Sequence, residues 1–294
     1  MVRVLILGGS GMLGHKLYQV CAERFEVYTT FRQSAKVCKQ NELFDQSRVI
    51  SNVSTDNIDN VVKAFAKVQP SVVVNCIGVV KQDTAALDPL TSISINALFP
   101  HRLAVMCRAA NARLIHLSTD CVFSGRKGNY VEEDPSDAED IYGKTKYLGE
   151  VTGPGCLTLR TSMIGRELRG CHGLLEWFLS QQGKTVRGFS RAIFSGFTTR
   201  ALSEIIASII ADHPALEGRW HVAAEPISKF KLLKLIKEKG GLDVQIEPDD
   251  AFSCDRSLDG TRFRNATSFV PPTWSDMISG LFKDTTPYTE LRGI

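Results

Sequence analysis

Short, nearly unbroken apolar runs alternate with longer amphipathic segments through the first two-thirds of the chain. Val2-Arg3-Val4-Leu5-Ile6-Leu7 and Val72-Val73-Val74 carry hardly a polar side chain. Continuous rather than alternating hydrophobicity marks strands covered on both faces, the condition of a parallel sheet. Strands are predicted at Arg3–Leu7, Glu26–Phe31, Val49–Ile50, Ser71–Cys76, Arg113–Ser118 and Cys156–Arg160. Helices are predicted at about Gly11–Arg24, Thr55–Val68, Leu90–Ala110 and Ile141–Thr152. Repeated β–α units take right-handed crossovers and build a doubly wound parallel sheet. After Gly165 the rhythm loosens. Helices are expected at Leu174–Gln182, Ala201–Asp212, Lys229–Lys239 and Trp274–Phe282, with a strand at Arg219–Ala223. The pattern divides the chain into a first domain at 1–165, with return elements near 190–223, and a smaller interleaved α/β lobe at 166–189 and 224–294.

The 294 residues are 43% hydrophobic and 23% charged, which excludes a disordered or low-complexity chain. No apolar run approaches the ~18 residues of a membrane span. Met1–Leu7 is basic then apolar, like a secretion signal, but Gly8, Gly9, Gly11 and Gly14 break up any apolar core of one, so a first strand is the reading. The 35 Lys and Arg are spread along the chain and leave a net charge of only +3. Neither a nucleic-acid surface nor a polybasic membrane anchor is expected. The cysteines (Cys21, Cys38, Cys76, Cys107, Cys121, Cys156, Cys171 and Cys254) form no C-x-x-C pair and no zinc-spaced group. They read as buried thiols of a cytoplasmic protein without a structural metal.

Gly8-Gly9-Ser10-Gly11-Met12-Leu13-Gly14 follows the first buried strand and opens a helical pattern. Glycines at 8, 11 and 14 would supply a tight turn, backbone room for a pyrophosphate and close helix–strand contact. The helix N-terminus would then offer N–H groups and a positive dipole end to the phosphates. This is the dinucleotide-binding signature of a Rossmann-type fold. An acid at the end of the second strand favours NAD, whereas an Arg accommodates the 2′-phosphate of NADP. Here the strand ends in Phe31-Arg32, followed by Ser34 and Lys36, so NADPH is preferred and NADH remains possible. Asn52 and Val53, after the third strand, and Cys76, Ile77 and Gly78, after the fourth, complete the expected cofactor contacts.

Ser118-Thr119-Asp120-Cys121-Val122-Phe123 ends the next strand, and Tyr142-Gly143-Lys144-Thr145-Lys146 lies on the helix that follows. Tyr142 and Lys146 are four apart and share one helical face. A cation beside a phenol favours the phenolate, so the Tyr142 pKa is expected to fall toward neutrality and serve proton transfer. Pro100, which lacks an N–H, cannot close the helical bond to the Asn96 carbonyl, and a kink there is expected.

Together these motifs resemble the extended short-chain dehydrogenase/reductase superfamily. Within it, Ser118-Thr119-Asp120-x-Val122-Phe123 with Tyr142-Gly143-Lys144-x-Lys146 resembles the dTDP-4-dehydrorhamnose reductase family. The likeness runs through Ile95-Asn96-Ala97-Leu98-Phe99-Pro100, with weaker echoes at Trp220-His221-Val222 and Ile227-Ser228-Lys229. The resemblance implies that Thr119 hydrogen-bonds the substrate oxygen, Tyr142 exchanges the proton, and Lys146 binds the nicotinamide ribose and tunes Tyr142. It also implies that the Asn96 carbonyl holds a water leading to the lysine. Cys121 stands where the family pattern has an aromatic residue, and reads either as a nucleophile or as a packed thiol.

The implied function is NADPH-dependent reduction of the keto group of a nucleotide-linked 4-keto-deoxysugar, in the making of cell-surface polysaccharide precursors. The second lobe, with Arg187, Arg191, Phe194, Phe197, Arg200 and Arg256, would close over the nucleotide diphosphate, since arginines bind diphosphates in bidentate fashion. A homodimer is common among such proteins. A 4,6-dehydratase would carry Asp-Glu after the threonine, where Asp120-Cys121 stands. Two alternatives share the scaffold: an epimerase, and a non-catalytic NADP-binding regulatory subunit like the beta subunit of methionine adenosyltransferase.

Overall fold

The computed structural model describes residues 1–34, 43–80 and 88–292; Lys36 and Cys38 lie outside them. In chain order the strands are β1 (Arg3–Leu7), β2 (Glu26–Thr30), β3 (Val49–Ile50), β4 (Val72–Asn75), β5 (Arg113–Leu117), β6 (Cys156–Arg160), β7 (Met163–Ile164), β8 (Thr185–Phe194), β9 (Phe197–Thr198), β10 (Gly218–His221), β11 (Ile227–Ser228) and β12 (Gln245–Asp255). Seven of them form one sheet in the order β10-β6-β5-β4-β1-β2-β3. Every neighbouring pair in it is parallel. The Rossmann-type doubly wound sheet read from the hydrophobic pattern is therefore present.

The apolar runs have a simple cause. Val4 and Ile6 of β1 enter one core with Leu13 and Leu17 of the first helix, α1 (Met12–Ala22), and with Leu202 and Ile206 of the helix Thr199–Asp212. Leu5 and Leu7 point the other way, onto Val61 and Phe65 of Ile58–Val68 and Leu103 and Cys107 of Phe99–Ala109. Each such side chain contributes about 1.5–3 kcal/mol on burial. The strand order reverses between β1 and β4, which leaves a crevice at their carboxyl ends, the place where ligands bind in open α/β sheets.

A smaller sheet of order β11-β8-β12 forms the second lobe. The helix Lys229–Gly240 packs on β8, where a Cβ on Gly188 would come within 2.8 Å of Phe230. β8 and β12 went unrecognised in the sequence. β12 is an edge strand containing Pro248 and Asp249, and its register slips between Asp249 and Ser253. Edges tolerate proline and irregularity, so it carries no apolar signal. Residues 190–194 continue this small sheet, and Thr199–Asp212 and β10 carry the chain back to the large one. Among the described residues no helix is long and apolar enough to cross a membrane.

Two helices flanking the crevice depart from expectation. The helix through 89–109 does not simply kink at Pro100. Over Ile93–Leu98 it widens to a π turn, in which the Phe99 N–H reaches the Ser94 carbonyl. The Asn96 side chain grips Val79, accepting from its N–H at 3.0 Å and donating to its carbonyl at 3.1 Å. The Asn96 carbonyl lies over Gly149, where a built Cβ would overlap it. That contact also explains why the next helix, Ile141–Leu148, stops at Gly149 instead of reaching Thr152. His101 Nε2 donates to the Leu148 carbonyl at 2.7 Å and closes the end. Gly149→Ala should accordingly cost about 1–3 kcal/mol, as overpacking does. A urea melt with an unchanged midpoint would contradict this account of the helix junction.

Candidate active site

β2 supports the glycine loop from below. Gly8 has φ +86°, and its N–H donates to Thr30 Oγ1 at 3.2 Å, while the Gly9 N–H donates to the Thr30 carbonyl at 2.9 Å. A Cβ on Gly9 would overlap Thr29 Oγ1, and one on Gly14 would overlap the Gly8 carbonyl. Gly11 differs from both. Its φ is −75°, and a Cβ there would meet only the Gly8 carbonyl oxygen, at 3.3 Å. Gly11 begins α1 with no side-chain cap and no acid in the first turn, so neither of these offsets the positive helix end. Ser10 and Met12 are half-buried beside it, and Leu13 belongs to the core.

The end of β4 meets this loop. The Cys76 carbonyl lies 3.3 Å from the Cβ position of Gly8, and the Ile77 N–H donates to Asn75 Oδ1 at 3.1 Å. A Cβ on Gly78 would sit 3.3 Å from Asn96 Oδ1 and 3.9 Å from Lys146 Nζ, so the segment after β4 and the lysine converge here. Arg32 is exposed just past β2. Exposed Asn52, with φ 60°, and buried Val53 are laced to that strand end through Asn52 N–H to Gln33 carbonyl, 3.1 Å, and Val53 N–H to Phe31 carbonyl, 3.0 Å.

Thr119 follows β5 and caps a 3₁₀ turn, Asp120–Val122, its hydroxyl accepting from the Cys121 N–H at 3.1 Å. The same hydroxyl donates to Asp120 Oδ1 at 3.2 Å, and the helix bearing Tyr142 packs on this turn, where a Cβ on Gly143 would overlap the Cys121 carbonyl. Lys146, 6% exposed, donates to the Leu117 carbonyl at 2.6 Å. Burial pulls its pKa down to about 8, against the opposing pull of Glu150 and Cys76. The electrostatics of Tyr142 correct the expectation drawn from spacing. Its pKa is raised, first by burial and then by Cys121, Asp120 and Asp140, because the Lys146 ammonium is turned to a carbonyl. Tyr142 therefore holds its proton through the neutral range. Burial and Asp120 also push the Cys121 thiol up to about 12, so it is a packed thiol and not a nucleophile. Buried Asp120 is raised as well, with Arg256 as its opposing charge.

The family model described as RmlD substrate binding domain matches residues 2–286. The chain belongs to this family. It is 34% identical to dTDP-4-dehydrorhamnose reductase of Streptomyces griseus over 149 residues, 50% of this chain and 43% of that protein, so the match spans less than half of the relative's length. Methionine adenosyltransferase 2 subunit beta of Rattus norvegicus is 31% identical over 150 residues, 50% of this chain and 41% of its own. Among solved structures, a hypothetical dTDP-4-dehydrorhamnose reductase from Sulfolobus tokodaii superposes with a TM-score of 0.77 at 27% identity, over 93% of this chain and 98% of that one. The dTDP-4-dehydrorhamnose reductase of Bacillus anthracis in complex with NADP gives 0.79 at 22% identity over 97% and 100%, a likeness of fold. The superfamily resemblance read from the motifs is borne out.

In this member of the RmlD family a buried charge cluster, which the sequence reading missed, lies beneath the site. Glu150 and Arg160 are 3% and 0% exposed, and Arg160 Nε and Nη2 donate to the two carboxylate oxygens at 2.7 and 2.8 Å. Ser118 Oγ donates to Oε1 at 2.7 Å, and Arg219 Nη1 to Oε2 at 3.2 Å. His221 Nδ1 donates to the Tyr130 carbonyl at 3.0 Å, leaving Nε2 to face Arg160 Nη1 at 3.3 Å as an acceptor. Burial and Arg160 hold His221 down to about 3, which keeps it neutral.

Of the four arginines expected over the diphosphate, Arg256 is brought to the site, its Nε donating to the Phe123 carbonyl at 2.8 Å. Arg187 and Arg200 are exposed and paired with Asp249 and Glu204, and Arg191 is exposed. Phe194 packs against Trp274 and Phe197 is fully buried, so these two belong to the core. Glu150→Gln keeps the shape of the cluster but leaves the Arg160 guanidinium buried without its counter-charge. Stability should fall by about 3–5 kcal/mol. Denaturant melts differing by less than 1 kcal/mol would show that the pair is dispensable.

Proposed function

We propose that this chain reduces the keto group of a nucleotide-linked 4-keto-deoxysugar with NADPH, working in the cytoplasm on precursors of cell-surface polysaccharides. The observation that carries this reading is the packing of the Tyr142 helix on the turn that Thr119 caps, where a Cβ on Gly143 would overlap the Cys121 carbonyl, with Lys146 one turn on and beside Gly78, at the crevice where the β1 and β4 ends meet. The cradle fits a dinucleotide: Gly11 leaves open exactly the side of the loop that a Cβ would fill, at an uncapped helix N-terminus. Gly8, Ser10, Gly11, Met12 and Gly14 would hold the pyrophosphate. Arg32, Asn52 and Val53 would meet the adenosine half, and Cys76, Ile77, Gly78 and Lys146 the nicotinamide half. NADPH, when bound, supplies the hydride.

Thr119 positions the substrate oxygen and stabilises the charge that develops on it. Tyr142, kept protonated by burial, delivers its proton to that oxygen. Residues 166–189 and 224–294 would form the substrate lobe, with Arg256 the arginine best placed for substrate phosphate. The similarity to a methionine adenosyltransferase subunit supports a second reading, a regulatory protein that binds NADPH without turning over a sugar. An epimerase, which consumes no net NADPH, is distinguished by the same assay.

Arg32→Asp should weaken NADPH binding at least tenfold more than NADH binding; equal losses in paired titrations would remove the 2′-phosphate role. Tyr142→Phe should leave NADPH affinity within about twofold and lower turnover by roughly 10²–10⁴-fold. Turnover of the unaltered protein should also decline as pH rises through about 8, where Lys146 loses its charge. Steady-state NADPH oxidation with a nucleotide-4-ketosugar measures both. Normal turnover by Tyr142→Phe would overturn the mechanism, and NADPH binding without any ketosugar reduction would favour the regulatory reading.

A further inference from the structure

The C-terminal segment lies against the helix that the glycine loop opens. Lys16, 5% exposed on α1, pairs with Asp284 at 2.7 Å and donates to Thr286 Oγ1 at 3.1 Å. The hydroxyl of Tyr288, 4% exposed, lies 3.0 Å from Asp284 Oδ2. The same hydroxyl lies 3.0 Å from Nε2 of His15, which is fully buried, and the His15 ring meets Tyr288 edge-on. His15 Nδ1 lies 2.8 Å from the Gly11 carbonyl. A carbonyl only accepts, so Nδ1 carries a proton and donates it. The single Tyr288 proton is shared between Asp284 and His15: sent to Asp284 it requires a doubly protonated ring, sent to His15 a neutral one. In either state the ring is clamped between the C-terminal segment and the loop. The Arg166 guanidinium closes over the Tyr288 ring at 4.7 Å.

Gly11 is the loop glycine least constrained by steric contact. A Cβ on Gly9 or Gly14 would overlap Thr29 or the Gly8 carbonyl, and Gly8 sits at positive φ against Cys76, whereas a Cβ on Gly11 would meet a single atom, the Gly8 carbonyl oxygen at 3.3 Å, and at negative φ. What reaches its carbonyl, besides the ordinary helical bond from the His15 N–H at 3.2 Å, is the His15 ring.

We propose that Tyr288 is a positioning residue for the dinucleotide site: through His15 it fixes the Gly11 peptide, so that the first turn of α1 is already arranged to receive a pyrophosphate. This rests on the reading of the glycine loop as the cofactor cradle. A preorganised site binds more tightly because it has less to order on binding. The residues concerned are more than 270 positions apart in the chain, and Tyr288 touches neither the proposed catalytic groups nor the open side of the loop.

Tyr288→Phe removes the hydroxyl and keeps the ring and its packing. Gln19→Met removes the bond from Gln19 Nε2 to Thr286 Oγ1, 3.1 Å, and so loosens the same segment from α1 while leaving Asp284, Tyr288 and His15 in place. For Tyr288→Phe, NADPH titration by fluorescence should show a Kd raised on the order of five- to tenfold, with kcat at saturating NADPH unchanged within twofold. In the cofactor-free protein, amide exchange should quicken at Gly11–His15 and not across the β-sheet. Gln19→Met should leave both Kd and that exchange pattern unaltered. An unchanged Kd for Tyr288→Phe, or equal effects from the two variants, would overturn the proposal. If the unaltered protein binds no NADPH, the cofactor reading itself fails. The exchange measurement then decides the positioning role on its own: faster exchange confined to Gly11–His15 supports it, and unchanged or sheet-wide exchange overturns it.

Discussion

Glu150 places an ionised group where water cannot reach it, and the end of the central sheet is organised around satisfying that charge. Its two oxygens take four donors from three strands or their ends: Ser118 after β5, Arg160 on β6 through two nitrogens, and Arg219 on β10. A buried ion pair adds little net stability when complete, but losing one partner is costly, so the cluster works as an all-or-none lock. The strand ends it joins are the ones that present Thr119 and the β6 side of the crevice. Glu150 also follows directly on Gly149, which must remain a glycine to fit under the Asn96 carbonyl. The helix bearing Tyr142 and Lys146 is therefore pinned at its carboxyl end by one steric contact and one electrostatic cluster.

The opposite wall of the crevice is built by different means. The glycine loop is shaped by close backbone approach, with Thr29 and Thr30 of β2 beneath Gly8 and Gly9, and Gly14 wedged under the Gly8 carbonyl. Sterics fix the loop at Gly8, Gly9 and Gly14, while the Gly11 carbonyl takes hydrogen bonds from the His15 N–H and ring. One wall thus depends on charge and the other on the absence of side chains.

Much of the large sheet was legible in the hydrophobic pattern because its strands feed two cores at once, so Val4-Leu5-Ile6-Leu7 has no polar face. The small sheet was not. β8 does alternate, with Val186, Ala192 and Phe194 buried, but Gly188 and Ser190 blur the period, and β12 is an exposed edge built around Pro248 and Asp249. At the site, the residue types and their order pointed to Thr119, Tyr142 and Lys146, which the fold gathers at one crevice. Their protonation did not follow from spacing. The helical four-residue interval brings Lys146 near Tyr142, yet the ammonium bonds the Leu117 carbonyl and burial governs the phenol. The Glu150 cluster and the contact between Tyr288 and His15 depend on residues far apart in the chain, and local pattern carries no trace of either.

The central claim is hydride delivery to a sugar carbonyl at the Thr119–Tyr142 crevice, and it is tested most directly by isotope transfer. The protein is incubated with NADPH carrying deuterium at nicotinamide C4 and with a nucleotide-linked 4-ketosugar, and the recovered sugar nucleotide is weighed by mass spectrometry. The account predicts a product bearing one deuterium on the carbinol carbon, formed in step with NADPH loss when the label sits on the transferred face. A sugar recovered without label from either face, with the NADPH intact, would contradict it.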